Sequence, residues 1–431
     1  LKIPVKHPDF NYICDDSSLC DIHTAFILTA QNRVYKTDAL ERGAKAVLSP
    51  IQCHKILGIN PELKVIGITG TNGKTTTAAA IYSIFLDLHV SAALQGTRGC
   101  FVNDACIESR SLTTPPILQT LAHMAQASKA GCRYFVMEVS SHAIAQERIE
   151  SLGFALKIFT NLSQDHLDFH GTMEAYRNTK SKFFMDDSAK LINGDQKTIT
   201  YNRKNSFTYG IEHPADFGVK TYALSDGIDA LFWLKGKECW VDSPLQGHFN
   251  VYNLLAATAA VWLLENPLAK DLEEAISGFA GVSGRMEVVN QDPRVIVDFA
   301  HTPDGMEQVL KSLKSHELVV VFGAGGNRDV SKRPLMGKIA SRYAKKVIVT
   351  SDNPRFEDPN EIITQICSGI PATPTIISNR KEAINYALSS LGPKETLVIL
   401  GKGDEDYQEI NGVKHPFDDR KIVRQWFEAN K

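Results

Sequence analysis

The chain has 431 residues, of which 43% are apolar and 22% charged, with a formal net charge of -2 at neutral pH. These values exclude a disordered or fibrous chain and argue against a nucleic-acid binder that works through bulk positive charge. At roughly 150 residues per domain the length calls for about three domains, and small molecules are the expected partners. Eight cysteines (14, 20, 53, 100, 106, 132, 239 and 367) include no C-x-x-C pair, so neither a zinc site nor a disulfide framework is expected. No charged leader with an apolar run opens the sequence. The longest apolar stretch, 251–264, contains Asn253 and is shorter than the roughly 20 residues of a membrane span. It reads as a packed helix in a cytoplasmic protein.

Up to Pro61, short apolar runs at 25–28 and 46–48 alternate with polar turns, and one helical pattern lies around 38–43. A small α/β unit over 1–61 is expected. A β-branched run at 65–69 then meets a glycine-rich turn, and 74–88 has helical length and composition. Strand-like runs at 134–139, 156–160 and 190–192 are separated by helical segments at 117–130 and 173–184. That alternation predicts a mostly parallel sheet covered by helices over 62–282. Within it, 198–242 is rich in polar turns and short strand pieces such as 230–234 and 238–241, an antiparallel insertion or extension. Strand candidates at 295–299, 318–322, 346–350 and 396–400 alternate with helices after Pro303, Lys332, Pro359 and Arg380. They predict a second doubly wound domain over 283–431, with Gly281 and Gly284 as the hinge.

The turn Gly70-Thr71-Asn72-Gly73-Lys74-Thr75-Thr76-Thr77 lies between the predicted strand and helix. Its glycines permit a tight turn with inward N–H groups, Lys74 brings a positive charge, and Thr75 offers a hydroxyl to magnesium. Ile68 stands where the longer phosphate-loop pattern has its first glycine, so the shorter G-x-x-G-K-T applies. The helix dipole adds to the attraction for a nucleoside triphosphate. Magnesium needs further hard oxygens, and Glu138, ending an apolar run, is expected at the carboxyl edge of the sheet. His166 follows another strand at the same kind of edge, among two histidines and two aspartates within six residues.

The segments Gly70-Thr-Asn-Gly-Lys-Thr-Thr76, Glu138-Val-Ser-Ser-His142, Asp165-His166-Leu-Asp168, Gly284-Arg285-Met-Glu287 and Asp298-Phe-Ala-His301 together resemble the Mur ligase family over most of the chain. Three further pieces, Thr113-Thr114-Pro115, Gly325-Gly-Asn-Arg328-Asp329 and Asp352-Asn353-Pro354-Arg355, resemble the members that add the third amino acid to the peptidoglycan precursor. The resemblance implies an α/β protein of three domains. These are a UDP-binding domain (1–61), a central P-loop ATPase domain with a mostly parallel sheet (62–282) and a Rossmann-like C-terminal domain that reads the amino acid (283–431). It implies ATP and magnesium, the substrates UDP-N-acetylmuramoyl-L-alanyl-D-glutamate and meso-diaminopimelate, and a monomer; with the composition, no nucleic-acid partner and no membrane span are expected. The chemistry is transfer of the γ-phosphate to a carboxylate, attack by an amine on the acyl phosphate, and departure of phosphate. It asks mainly for positioning and positive charge.

Carried over residue by residue, the resemblance places Gly70 to Thr76, Asn250, Asn253, Arg285, Asp298 and His301 around ATP. Lys74, Glu138, His166 and Lys180 would be catalytic, and Thr75, Glu138, His166 and Lys180 would serve the metals. Lys180 is the lysine the family carries as a carbamate; by itself the sequence shows an ordinary helix-surface lysine. Ser17, Thr113, Thr114, Ser140, Gln146, Arg148 and the carbamylated Lys180 would face the UDP-dipeptide. Arg328, Asp352, Asn353, Pro354, Arg355, Gly401 and Glu405 would form the acceptor pocket. A planar guanidinium at Arg355 suits a carboxylate, which favours meso-diaminopimelate over L-lysine. The chain departs from the family pattern at Thr29-Ala-Gln31-Asn, at Phe299 in place of tyrosine, and at Asp404 in place of histidine. Folylpolyglutamate synthase, which shares the phosphate loop and the two following domains, is the rival enzyme.

Overall fold

The computed structural model describes residues 1–225 and 227–430. The N-terminal unit is a four-stranded sheet of β1 (Lys2–Pro4), β2 (Tyr12–Cys14), β3 (Thr24–Ile27) and β4 (Ala46–Leu48) in sequence order, parallel except between β1 and β2. Helices α1 (Lys36–Glu41) and α2 (Pro50–Ile56) flank it. Ser49 starts α2 through a capping box with Gln52, and Pro50 takes the first turn, where its missing N–H is harmless. Its core is shared with the next domain: Ile13, Ala25 and Ile27 belong to the same apolar cluster as Leu118, Leu121 and Phe135.

The central domain is built on one eleven-stranded sheet. In chain order its elements are β5 (Lys64–Thr69), α3 (Lys74–Asp87), β6 (Ala92–Gly96), β7 (Gly99–Val102), β8 (Ala105–Glu108), α4 (Ile117–Lys129), β9 (Tyr134–Glu138) and α5 (Ser141–Ala145). There follow β10 (Phe154–Phe159), α6 (Leu167–His170), α7 (Met173–Lys182), β11 (Lys190–Asn193), β12 (Ser206–Tyr209), β13 (Phe217–Ala223), β14 (Ile228–Leu234), β15 (Lys237–Ser243), α8 (His248–Glu265) and α9 (Ala269–Ser277). The strand order is β15-β14-β13-β12-β11-β10-β5-β9-β6-β7-β8. The middle strands are parallel and β5 is buried except at Lys64, as expected of a strand covered on both faces. Ile66 and Ile68 point to α3 and α8, while Val65 joins the opposite cluster with α4, the period of two that a strand imposes.

The polar stretch expected as antiparallel is only partly so. β12 pairs in parallel with β11, and β13 to β15 extend the same sheet as an antiparallel edge. The hairpins β6-β7-β8 at the other edge have no counterpart in the sequence reading, because 92–108 carries no strongly alternating pattern. The apolar stretch at 251–264 is the body of α8, buried against α3. Among the described residues no helix is long and apolar enough to cross a membrane.

The chain passes Gly281 and Gly284, both at positive φ, into the C-terminal domain. Its elements are β16 (Glu287–Asn290), β17 (Val295–Asp298), α10 (Pro303–Ser312), β18 (Glu317–Phe322), α11 (Lys332–Tyr343), β19 (Ala344–Val349) and α12 (Pro359–Cys367). They continue through β20 (Thr375–Ile376), α13 (Arg380–Ser389), β21 (Glu395–Leu400), the hairpin β22 (Tyr407–Ile410) and β23 (Val413–Pro416), and α14 (Asp419–Ala429). The sheet order β16-β17-β21-β18-β19-β20 is parallel apart from β16. Along β18, Leu318, Val320 and Phe322 face α10, α11 and α12, whereas Val319 and Val321 face α13 and α14. This is a doubly wound domain.

Candidate active site

The carboxyl ends of β5, β9, β10 and β11 open toward the C-terminal domain around a cavity of about 550 Å3. Crossovers leave β5 and β9 toward opposite sides of the sheet, which creates the crevice where α/β folds bind ligands. The loop after β5 forms its floor. Gly73 has φ of +85°, and a Cβ there would lie 2.4 Å from Asn253 Oδ1, so a side chain is excluded both by conformation and by space. Lys74 opens α3 and folds back on its own loop, donating to the carbonyls of Gly70 (2.9 Å) and Thr71 (2.8 Å). Burial pushes its ammonium below the ordinary value, against the pull of Glu138 and Asp165. The Asn72 amide donates to Asn161 Oδ1 (2.9 Å), its side chain donates to Asp304 Oδ2 of the C-terminal domain (2.9 Å), and Thr71 Oγ1 meets the Tyr176 hydroxyl at 3.2 Å. Thr76 is buried and lines the same cavity.

Glu138 ends β9 and is 2% exposed. Its Oε2 accepts from Thr75 Oγ1 (2.9 Å) and its Oε1 from the Thr97 amide (3.0 Å). A Cβ on Gly96 would fall 2.1 Å from Oε1, so the strand end is kept bare to admit the carboxylate. Arg285 Nη2 reaches Thr75 Oγ1 at 3.4 Å and its guanidinium stacks 4.2 Å from the Phe299 ring centre. Phenylalanine at this position thus holds the arginine by its face. Arg285 Nε is buried without a partner among the described residues. Asp298 spends both oxygens on the amides of Met286 and Ala300 (2.7 Å each), and Asn250 Oδ1 accepts from Asn253 Nδ2 (2.9 Å).

His166 has φ of +54° and places Nε2 3.2 Å from Asp165 Oδ2. Burial drives its imidazole down to about 3, with Asp165 pulling the other way. Asp165 is also 3.8 Å from His301 Nε2 and 3.7 Å from Lys332 Nζ, both in the C-terminal domain. Burial acts to raise the Asp165 carboxyl, but His166, Lys332 and His301 hold it well below its ordinary range. Lys180, read from sequence as a surface lysine, is instead 1% exposed. The reason is the packing of α7 against the loop after β5. Its Nζ donates to Gly70 O (3.0 Å) and lies 4.8 Å from the Tyr176 ring centre, and it joins no carboxylate among the described ion pairs. Burial and the neighbouring Lys74 push it well below the usual lysine value, Asp165 opposing.

The other end of the cavity lies in the C-terminal domain. Arg355 Nε meets Glu409 Oε2 at 3.1 Å and its Nη1 donates to Gly326 O at 2.7 Å. Pro354 O accepts from the Glu357 amide (3.0 Å), and Arg328 stands 3.9 Å from Asp168 of the central domain. Asn353 Nδ2 donates to Glu405 Oε2 (2.8 Å), and the Gly401 amide to Asp298 O (3.1 Å). Burial pushes the Glu405 carboxyl up, with Lys402 opposing.

A second cleft, of about 500 Å3, lies between the first two domains and is lined by Gln31, Gln146 and Arg148 among others. Ser17 is buried and lies outside its lining. Arg148 donates to Thr114 O (2.8 Å) and to Gln146, and its Nε is buried without a partner among the described residues. Thr114 Oγ1 donates to Glu138 O and accepts from the Ser140 amide (2.9 Å each), which ties this cleft to β9, while Thr113 lines the main cavity.

Residues 68–261 match the Mur ligase middle domain, and residues 284–403 match the Mur ligase glutamate ligase domain. A protein of Wolinella succinogenes named UDP-N-acetylmuramoyl-L-alanyl-D-glutamate--2,6-diaminopimelate ligase is 49% identical over 425 residues, 98% of each chain. The chain belongs to the Mur ligase family. A Helicobacter hepaticus relative of the same name is 46% identical over 413 residues, covering 93% of this Mur ligase and 89% of its own length. A solved structure of a ligase of that name superposes with a TM-score of 0.66 at 33% identity, over 97% of this Mur ligase and 94% of that chain. Folylpolyglutamate synthase from Mycobacterium tuberculosis has a TM-score of 0.67 at 18% identity over 82% of this Mur ligase and 92% of its own chain, a likeness of fold alone. Asp165 was read from the sequence as part of a motif without a role of its own, and Lys332, Lys402 and Thr97 escaped selection. Thr97 acts through its backbone amide, which no motif announces.

Proposed function

We propose that this Mur ligase joins meso-diaminopimelate to the D-glutamate of UDP-N-acetylmuramoyl-L-alanyl-D-glutamate, with ATP activating the carboxylate as an acyl phosphate. One observation carries this reading. The phosphate loop and the Arg355–Glu405 pocket line a single cavity, in a chain 49% identical over nearly its whole length to a ligase of that name. The loop amides, Lys74 and the N-terminus of α3 hold the ATP phosphates, with Asn250, Asn253, Arg285, Asp298 and His301 on the nucleoside side. Lys74 exchanges its two carbonyl partners for phosphate oxygens and balances the charge on the migrating phosphoryl group.

Among the described residues no group of three or more His, Cys, Asp or Glu side chains forms a ready-made metal centre. The donors that do converge, Thr75 and Glu138, are the hard oxygens magnesium takes when phosphate and water fill its other positions. Bound there, the ion would neutralise phosphate charge. His166 and Lys180 flank the acyl-phosphate side. A buried lysine held neutral is nucleophilic toward carbon dioxide, and the carbamate formed, with loss of a proton, would turn Lys180 into an oxygen donor.

Thr113, Thr114, Ser140, Gln146 and Arg148 take the UDP-dipeptide. Arg355 and Arg328 receive the distal carboxylate of the acceptor, and Glu405 its ammonium, with Asp352, Asn353, Pro354 and Gly401 framing them. The soluble substrates support a cytoplasmic reaction. The test is phosphate release from ATP with magnesium and the UDP-dipeptide. It should accelerate on adding meso-diaminopimelate but not L-lysine. Equal stimulation by lysine would favour that acceptor instead, and indifference to both would overturn the acceptor assignment.

A further inference from the structure

We propose that Lys402 is a positioning residue for acceptor recognition: it grips one oxygen of Glu405 and thereby aims the other at the acceptor's distal ammonium. The inference rests on the acceptor reading above and adds a residue to it. Lys402 is fully buried. Its ammonium has three N–H donors and meets three acceptors, Asn353 Oδ1 at 2.9 Å, Glu405 Oε2 at 3.0 Å and Asp352 Oδ1 at 3.4 Å. A lysine satisfied this completely is fixed in place rather than free to bind a ligand itself.

Every bond the structure gives the Glu405 carboxylate falls on Oε2, from Lys402 and from Asn353 Nδ2 (2.8 Å). Oε1 takes none among the described residues, although Glu405 lines the cavity. Two carboxylates against one ammonium leave the cluster one negative charge, the complement of a single ligand ammonium. Arg380, the other nearby cation, is committed to Asp419 by two bonds of 2.8 and 2.7 Å. Without Lys402, two buried carboxylates would face each other with no cation between them, and one would take up a proton. Glu405 would then lose both its aim and the charge that draws an ammonium. The lysine belongs to the short Gly401–Glu405 turn after β21, so backbone and side chain fix Glu405 together.

Two acceptors separate this role from a general structural one: meso-diaminopimelate, and 2-aminopimelate, which keeps the distal carboxylate but lacks the distal amine. In Lys402→Met the KM for meso-diaminopimelate should rise about ten- to a hundredfold, the range for losing one charge-assisted hydrogen bond. The KM for ATP and the UDP-dipeptide should stay within about twofold, and that for 2-aminopimelate should rise far less than that for meso-diaminopimelate, because Arg355 keeps its own bonds to Glu409 and Gly326. Glu405→Gln should reproduce the pattern, and the double variant should be no worse than either single one. If Lys402→Met does not fold, Lys402→Gln takes its place in the same measurements. An equal rise in KM for both acceptors, or full additivity with Glu405→Gln, overturns the inference. A wild-type enzyme that treats the two acceptors alike overturns instead the reading of the pocket on which it rests.

Discussion

Arg355 holds its guanidinium on a backbone with φ of +52°, a conformation that costs a residue bearing a Cβ about 1 kcal/mol. Hydrogen bonds from its amide to Glu409 O (3.0 Å) and from the Asn411 amide to its carbonyl (2.7 Å) keep it there, so its donors are placed before any ligand arrives. Arg355→Lys should lower kcat/KM for meso-diaminopimelate by about a hundredfold or more while leaving the fold intact, because an ammonium cannot present parallel N–H groups. Unchanged kinetics would mean another residue holds the distal carboxylate. His170 offers a test through pH. Its Nε2 lies 2.9 Å from Ser141 Oγ, and burial, His142 and Lys180 lower its imidazole to about 4, Asp168 opposing. Between that value and the ordinary 6.5 the unfolded chain binds the proton and the native one does not. Stability from this residue therefore rises with pH across the window, is complete above it, and is lost toward pH 4. His170→Gln should shrink the difference in urea midpoint between pH 7 and pH 5; an unchanged difference would assign that slope to other groups.

At the scale of elements, strands buried on both faces were the easiest to read. The runs at 134–139, 156–160 and 318–322 emerge within two residues of β9, β10 and β18, because β-branched and aromatic residues cluster there without competing turn signals. The β6-β7-β8 hairpins were not legible: Ala92, Ala93 and Gly96 have little strand propensity, and their pairing is set by contact with β9. The phosphate loop announced itself through glycine spacing. Lys180 was legible only through resemblance, since nothing in a ten-residue polar helix shows that one lysine points inward. Helix ends carry their own prediction. Asp418 caps α14 by accepting from the amides of Arg420 (3.0 Å) and Lys421 (3.4 Å), and it also holds Arg420 Nη2 at 2.8 Å. Asp418→Ala should cost about 1–2 kcal/mol, read from the urea unfolding curve.

Across the whole molecule, residues far apart in sequence join the two pockets; the sequence marks Gly284 as a hinge and Arg285 as an ATP residue, but not the contact of Gly284 with the turn after β21. Gly284 has φ of +71°, and a Cβ on it would sit 2.1 Å from the Asp404 amide, in the turn that carries Lys402 and Glu405. The next residue, Arg285, reaches Thr75 beside the phosphate loop. Gly284→Ala should therefore raise the KM for ATP and for the acceptor together; a change in only one would show that the two pockets are independent of this backbone contact. Other links cross the same gap: Gln164 Nε2 donates to Asp329 (3.2 Å) and Ser331 (3.0 Å), Arg110 Nη1 approaches Asp406 at 3.3 Å, and Asp165 faces Lys332. Their consequence is one of leakage. An activated carboxylate formed while the domains stood apart would meet water before amine, and ATP would be spent without a product bond. Weakening these polar contacts between the domains should raise the phosphate released per peptide bond formed before it abolishes either ATP consumption or ligation; an unchanged ratio would show that they do not guard the intermediate.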